Sequence, residues 1–249
     1  MRADIVMVSH KPDLPWLIYS LHLILKFWTP KPRIIVRLDE DCREVTEKWP
    51  LDVEFYYVRP WPDGYTFQMY QKMTADDFTD AELIILWDSD LMLTAPASLE
   101  RLFHDDRPIV EWQDWDQAVT HSERIWRGPT SLMMGMDLNH EYMCGVPFIY
   151  WRETFSKCRC QIARTHRRSF YDCIYSDVPF KASNFLNHPM KLADFEALGL
   201  TAAQIEPHDR YLLRHSSNRP KDWPFKLYWS HGGLTKEIQA ELDAILTSQ

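Results

Sequence analysis

The sequence has no excess of positive charge. Its formal net charge is −8, from 28 Lys and Arg residues against 36 Asp and Glu residues. Proteins that bind nucleic acids normally carry a basic face that meets the phosphates. The one basic cluster, RTHRRSF at 164–170, is short and is typical of a solvated surface. We therefore do not expect a nucleic-acid partner.

A long hydrophobic run is also missing. The apolar stretch LPWLIYSLHLILKFW at 14–28 contains His22, has the length of a core helix, and is too short for a transmembrane segment. The first residues have the pattern of a strand followed by loop residues, which is not that of a signal peptide. We expect a cytoplasmic protein with no transmembrane segment.

The cysteines show no pattern of paired ligands. There are five, an odd number, and their spacing is irregular. Neither a disulfide framework nor a zinc site fits that arrangement. We expect free thiols in a reducing compartment.

The first 93 residues alternate between strand and helix patterns. Apolar strand patterns at 4–10, 32–40, 52–60 and 81–93 are separated by helical patterns at 14–28, 43–49 and 66–78. This alternation predicts an α/β fold, a single domain with a mostly parallel central sheet flanked by helices. In the second half we expect a strand within 107–116, a strand and a helix within 142–155, and strands or loops at 209–216 and 224–233. An amphipathic helix, TKEIQAELDAILTSQ, ends the sequence.

Polar residues follow several of these strand patterns. They are Ser9, His10, Lys11, Asp39, Asp88 and Asp90. Ligands of mostly parallel sheets bind at the carboxyl ends of the strands. We therefore expect these six side chains to converge on one edge of the sheet.

The segment LIILWDSDLML at 83–93 carries the strongest chemical signal. It places Asp88 and Asp90, with Ser89 between them, directly after an apolar strand pattern. Carboxylates are costly to desolvate there unless a partner compensates them. Hard oxygen ligands suit Mn²⁺ or Mg²⁺, which commonly bind substrate phosphates as well. We predict a metal site that carries a nucleotide diphosphate; the alternative is a loop pair that caps a helix or pairs with a lysine.

The same segment resembles the Asp-x-Asp metal motif of GT-A glycosyltransferases, which use nucleotide-sugar donors. IVMVSHKPD resembles the opening donor strand of that family, MCGVPFIYW the segment after the metal motif, and YWSHGGLTK the late segment. The resemblance implies a GT-A-like (Rossmann-like) domain over residues 1–249. Residues up to about 106 would form the nucleotide-sugar-binding half, and residues from about 107 the acceptor-side half with the C-terminal helix. The implied activity is metal-dependent transfer of a sugar, favouring a uridine diphosphate sugar, to a glycan or other hydroxyl acceptor.

The resemblance also implies roles for individual residues. Asp88, Asp90 and His231 would hold the metal. The nucleotide sugar would be bound by Ser9, His10, Lys11, Asp39, Lys72, Asp88, Ser89, Asp90, Gly232, Gly233 and Lys236. The spacing of Lys236 differs from the common late motif. An acceptor would lie against Trp112, Trp115, Trp126 and Gly145.

An inverting transferase needs a carboxylate that deprotonates the acceptor hydroxyl. We predict Asp177, in YSDVPFKASNF, for this role, with Glu141, Asp114 and Asp116 as alternatives. Related sequences often have an acid where this one has Asn184. That departure leaves both the base and the choice between inversion and retention open.

Three other functions compete with the transferase. Phosphohydrolases of the haloacid dehalogenase type also have an Asp-x-Asp after a strand, but near the start of the chain and with a threonine where this sequence has Met92. Nucleotidyltransferases usually have a glycine-rich loop after the first strand, and SHKPDLPW has no glycine. A non-catalytic sugar-binding protein on the same fold stays open, because a fold does not prove activity.

Overall fold

A computed structural model describes residues 1–59, 64–117, 126–175, 194–205, 210–214, 222–228 and 230–248, apart from the side chains of Tyr175, Asp194, Phe195 and His231. The strands are β1 (Ala3–Val8), β2 (Arg33–Asp39), β3 (Glu54–Val58), β4 (Leu83–Trp87), β5 (Leu91–Leu93), β6 (Phe103–His104), β7 (Arg107–Trp112), β8 (Phe148–Trp151), β9 (Tyr211–Arg214) and β10 (Phe225–Leu227). The α-helices are α1 (Leu14–Phe27), α2 (Arg43–Thr46), α3 (Gly64–Met73), α4 (Gly128–Met134), α5 (Arg152–His166), α6 (Phe170–Tyr175), α7 (Asp194–Gln204) and α8 (Lys236–Thr247).

The central sheet has five strands in the order β3-β2-β1-β4-β8. The first four run parallel, and β8 lies antiparallel to β4 at the edge. Two smaller sheets pair β10 with β5 and order β6-β7-β9. The predicted α/β domain with a mostly parallel sheet is confirmed.

Helices cover both faces of this sheet. Alternate strand residues point to opposite faces, so Ile5 and Met7 of β1 pack in the core beneath α1 and α8. Val6, between them, packs in the core formed with α3, α5 and α7. Strands covered on both faces tend to be continuously apolar rather than alternating, which is why residues 5–8 of β1 and all of β4 form uninterrupted apolar runs.

The prediction of one strand over 81–93 is wrong. β4 ends at Trp87, residues 88–90 form a turn, and β5 leaves the central sheet to pair antiparallel with β10. The Leu91 N–H donates to the Asp88 carbonyl (3.1 Å) across this turn. The Trp87 indole N–H also donates to the Leu91 carbonyl (2.9 Å). The apolar residues on both sides of the turn conceal it in the sequence.

The other predicted elements are present in the predicted order with shifted ends, whereas α4, α6, α7 and β6 were not predicted. The helix expected at 66–78 is α3 followed by a 3₁₀ helix at Ala75–Asp77. Among the described residues, no helix combines the length and the apolar character needed to cross a membrane. The five cysteines all lie in described ranges and carry free thiols.

Candidate functional site

The register of the parallel strands brings three strand ends to one edge of the sheet. Met7 of β1 lies beside Trp87 of β4, and Val8 lies beside Arg37 of β2. The Ser9 N–H continues this ladder by donating to the Arg37 carbonyl (3.0 Å). The loops after β1, β2 and β4 therefore emerge together, as the sequence pattern predicts.

The loop after β1 contacts the Asp-x-Asp turn through Asp13. One carboxylate oxygen of Asp13 lies 3.2 Å from His10 Nδ1 and accepts a hydrogen bond from the buried Ser89 hydroxyl (3.5 Å). The hydrogen bond to Asp13 raises the pKa of His10, although partial burial opposes the shift. The sequence analysis did not identify Asp13 as a site residue. The sequence feature that could have indicated it is its position in the loop after the first strand.

Asp88 already has a cationic partner. Lys72 of α3 places its Nζ 2.8 Å from Asp88 Oδ1, and the two side chains are 7% and 24% exposed. The two side chains form an ion pair, but the angles at Lys72 Nζ and Asp88 Oδ1 are not those of a hydrogen bond. Arg37 anchors the end of α3 on the sheet, since its Nη1 donates to the Gln71 carbonyl (2.9 Å) and to Thr74 Oγ1 (3.3 Å). Lys72 is thus held against the edge by the packing of its helix.

Asp90 is held by the C-terminal part of the chain. The Ser230 N–H donates to Asp90 Oδ2 (2.9 Å), and the Tyr228 N–H donates to the Asp90 carbonyl (2.9 Å). Burial raises the pKa of Asp90, the charge of Asp88 raises it further, and the Ser230 N–H opposes both effects. The pairing of β5 with β10 creates this contact between residues 140 apart in sequence.

The first residues of the late segment, YWSHGGLTK at 228–236, therefore lie next to Asp90. The main chain of His231 lies in the 3₁₀ helix Ser230–Gly232, while its side chain lies outside the described part of the structure. Gly233 has a left-handed φ of 73°, which favours glycine. A Cβ added to Gly232 or Gly233 would have no atom of the described residues within 4 Å, so these residues leave the space over both glycines open.

The other predicted nucleotide residues are Lys11, Asp39 and Lys236. Lys11 Nζ is 3.7 Å from Asp41 Oδ2 at an exposed position. Burial and the neighbouring Asp41 raise the pKa of Asp39, and the charge of His10 lowers it. Lys236 is exposed at the start of α8. Within the described ranges, no contact joins it to the aspartates.

The aspartates fit a divalent metal. No group of three metal-ligating side chains occurs among the described residues, and the side chain of His231 is not among them. Mg²⁺, however, is commonly held by one or two carboxylates together with waters and substrate phosphates. Asp88 is paired with the ammonium of Lys72, whereas the carboxylate of Asp90 is bonded by a neutral donor, the Ser230 N–H. A bound dication would offset the charge of Asp90.

A cavity of about 460 Å³ lies along β8, between this edge strand and the β6-β7-β9 sheet. Because β8 runs antiparallel to β4, with Phe148 beside Leu86, the residues before Phe148 extend past the end of β4. The cavity walls include Glu111, Tyr142, Gly145, Pro147, Arg214 and Trp223. A volume in this range suits a small ligand. Its described lining contains neither Asp88 nor Asp90.

Gly145 allows Glu111 to approach the main chain at this cavity. A Cβ added at Gly145 would lie 2.7 Å from Glu111 Cδ. Sequence reasoning named Gly145 and missed Glu111, which lies within the strand predicted at 107–116. No spacing rule connects the two residues, since only the folding of β8 against β7 brings them together.

The three predicted acceptor tryptophans have different surroundings. Trp112 is half-buried, and its ring centroid lies 4.2 Å from that of His140. Trp126 is also half-buried. Trp115 is buried, and its indole N–H donates to the Leu138 carbonyl (2.9 Å). Trp115 therefore has little surface to offer a ligand, whereas Trp112 and Trp126 retain some.

The predicted catalytic base, Asp177, lies outside the described residues. Of the alternatives, Asp114 accepts a hydrogen bond from Arg214 and lies 3.4 Å from His140 Nδ1. Glu141 is buried and accepts a hydrogen bond from Gln113. Asp116 is exposed.

The sequence matches no protein-family model, and none of the curated proteins compared with it matches. By its fold, the protein is an α/β domain with a mostly parallel central sheet. Its candidate site is the carboxyl edge of that sheet, where two aspartates, a buried lysine and the late glycine segment meet.

Proposed function

We propose that the protein is a metal-dependent glycosyltransferase with a GT-A-like fold. One observation carries the proposal. The Asp88–Asp90 turn lies at the carboxyl end of β4, and the main chain next to His231 is hydrogen-bonded to Asp90. In this proposal Asp88, Asp90 and His231 hold Mn²⁺ or Mg²⁺.

The residues around the turn suit a nucleotide diphosphate. When bound, the metal would supply a Lewis acid that offsets the charge of the leaving diphosphate. Lys72 provides a second positive charge at the same place. The open space over Gly232 and Gly233 lets phosphate oxygens approach the main chain. Ser9, His10 and Asp39 line the same edge and would bind the base and the ribose of a nucleotide sugar, with a uridine diphosphate sugar as the favoured donor.

The cavity along β8 supports an acceptor site. It is lined by Gly145, a predicted acceptor residue, and by the carboxylate of Glu111. Trp223, which is half-buried at the cavity wall, offers the apolar face of its ring to a sugar. The acceptor is therefore proposed to be a glycan or another hydroxyl compound. Asp177 remains the predicted base, and Glu111 is the carboxylate that lines the cavity.

Binding of nucleotides is the first test. The thermal stability of the protein is measured with uridine, guanosine, adenosine and cytidine diphosphates, each with and without Mn²⁺. A ligand that binds only the folded protein raises its apparent stability by mass action. We expect one nucleotide to raise the melting temperature only when Mn²⁺ is present. A lack of any shift would contradict the proposal and lead to assays of phosphate-ester hydrolysis.

The aspartates are tested by substitution. Asp90→Ala should abolish the Mn²⁺-dependent binding of the nucleotide while the protein stays folded. Asp52→Ala removes the same charge from an exposed loop before β3 and should leave the binding unchanged. An Asp90→Ala protein with normal nucleotide affinity in Mn²⁺ would refute the assignment of Asp90 as a metal ligand.

Catalysis is tested separately from binding. A transferase should release the nucleoside diphosphate slowly from its sugar donor in Mn²⁺ even without an acceptor, because water replaces the acceptor hydroxyl. Release that stops in the Asp90→Ala protein supports the proposal. Tight binding without any release, with and without glycan acceptors, would favour the non-catalytic sugar-binding protein.

A further inference from the structure

We infer that the cavity along β8 binds an apolar part of the acceptor, so that the acceptor is an amphipathic hydroxyl compound and not an oligosaccharide made only of sugars. This inference rests on the proposed function and names the class of compound that receives the sugar. The cavity walls that support it come from β8 and from the β6-β7-β9 sheet.

The cavity leaves apolar surface accessible to a ligand. Ile109 and Glu111 of β7 share one face of the β6-β7-β9 sheet, and Leu213 of β9, the register partner of Glu111, lies on the same face. Leu213 is 37% exposed, and Ile109 is half-buried. The half-buried rings of Phe103 and Trp223 also line the cavity. A ligand would cover these apolar side chains, and removing apolar surface from water favours binding.

Most charged residues of the cavity wall are exposed to solvent. Within the described ranges, the exposed ones are Glu100, Arg101 and Arg214, while Glu111 is half-buried. Arg101 donates a hydrogen bond to Asp222 (3.2 Å). Arg214 donates one to Asp114. A sugar ring carries hydroxyl groups around its edge, and each of them needs a hydrogen-bond partner when it is buried. An alkyl chain or an aromatic ring needs none, so it suits these walls better than a buried oligosaccharide does.

One end of the cavity lies at the carboxyl end of β4. Pro147, in the wall, directly precedes Phe148, which lies beside Leu86. Tyr150, also in the wall, lies beside Ile84 and is therefore farther from that end. An acceptor whose apolar part lies along β8 can thus place its hydroxyl group at the end near Pro147, towards the edge where the donor is proposed to bind.

Binding of simple glucosides tests the class of acceptor. Methyl, octyl and para-nitrophenyl β-D-glucosides carry the same sugar and differ only in the aglycone. Their affinities are measured by calorimetry below the micellar concentration of octyl glucoside, with and without uridine diphosphate and Mn²⁺. We expect the octyl or the nitrophenyl glucoside to bind at least about tenfold more tightly than methyl glucoside, since burial of roughly two methylene groups gives this factor. The two apolar compounds distinguish an aliphatic from an aromatic acceptor.

Two neighbouring leucines of β9 provide a matched pair of variants. Leu213→Glu places a charge in the cavity and should weaken binding of the tighter glucoside at least about fivefold. Leu212 is 41% exposed, and alternation along the strand directs its side chain to the opposite face, so Leu212→Glu should bind as the wild type does. Both variants should bind uridine diphosphate in Mn²⁺ normally. If Leu213→Glu does not fold, saturation-transfer NMR on the wild type takes its place, and the aglycone protons should receive more saturation than the sugar protons.

Three results would overturn the inference. The first is a methyl glucoside that binds as tightly as both apolar glucosides, and the second is that none of the three compounds binds. The third is equal weakening by both leucine variants, which would mean that the aglycone binds the surface of β9 and not the cavity. Normal nucleotide binding together with any of these results refutes only the class of acceptor. Failure of every nucleoside diphosphate to bind in Mn²⁺ would contradict the proposed function itself.

Discussion

Replacing Trp87 by Phe measures how much the indole ring next to the turn at Asp88 contributes to the stability of the core. Trp87 is 1% exposed and directly precedes Asp88. Its indole N–H is shared between Ser20 Oγ and the Leu91 carbonyl, both at 2.9 Å. Its ring packs edge-on against Phe225, with centroids 5.7 Å apart.

Two losses set the size of the effect. Phenylalanine is smaller than tryptophan by roughly 40 Å³, and a residual cavity costs about 24 cal/mol per Å³, which gives about 1 kcal/mol. The indole hydrogen bonds contribute about another 1 kcal/mol. The Leu91 carbonyl keeps one donor, the Ser20 hydroxyl (2.7 Å), so the full cost of an unsatisfied acceptor does not apply. We expect Trp87→Phe to lower the free energy of unfolding by about 2 kcal/mol.

Urea unfolding measures this difference. The midpoint should fall while the slope stays constant, because a change in slope would mean that the unfolded or folded ensemble has changed. Trp49→Phe is the matched control, since Trp49 is half-buried and packs edge-on to Phe55 at 6.1 Å. It should cost less than Trp87→Phe, because a half-buried ring leaves a smaller cavity when it is replaced. A Trp87→Phe protein as stable as this control would refute the argument.

Two further predictions concern the loops at the sheet edge. Gly145→Ala should lower the free energy of unfolding by about 1–3 kcal/mol, because the new Cβ would meet the Glu111 side chain. Gly232→Ala is the control and should leave the free energy of unfolding unchanged, because its new Cβ would enter open space. Urea midpoints compare the two variants. In an NMR titration the pKa of His10 should lie above its ordinary value and return towards it in Asp13→Asn, because the carboxylate favours the protonated ring. The stability contributed by this pair is present below the ordinary histidine pKa and is lost as the pH rises through the raised value; an unchanged His10 pKa in Asp13→Asn would contradict the assignment.

Much of the fold could be predicted from local patterns. The strands β1, β2 and β4 are covered on both faces, so each contains an uninterrupted run of at least three apolar residues that is visible without any homologue. The turn at 88–90 could not be predicted, because Trp87 and Leu91 are apolar on both sides of it. Its position depends on the pairing of β5 (residues 91–93) with β10 (residues 225–227), two strands that are far apart in the sequence.

The sequence by itself determined where the acidic residues lie. Asp88 and Asp90 follow an apolar strand of an alternating α/β pattern, and parallel strands end at one edge. Only the tertiary structure decided what each aspartate contacts. Lys72 reaches Asp88 because α3 packs on the sheet, and Ser230 reaches Asp90 because β10 pairs with β5. Local periodicity records which face of an element is buried, and it carries no information about which distant residue will lie opposite.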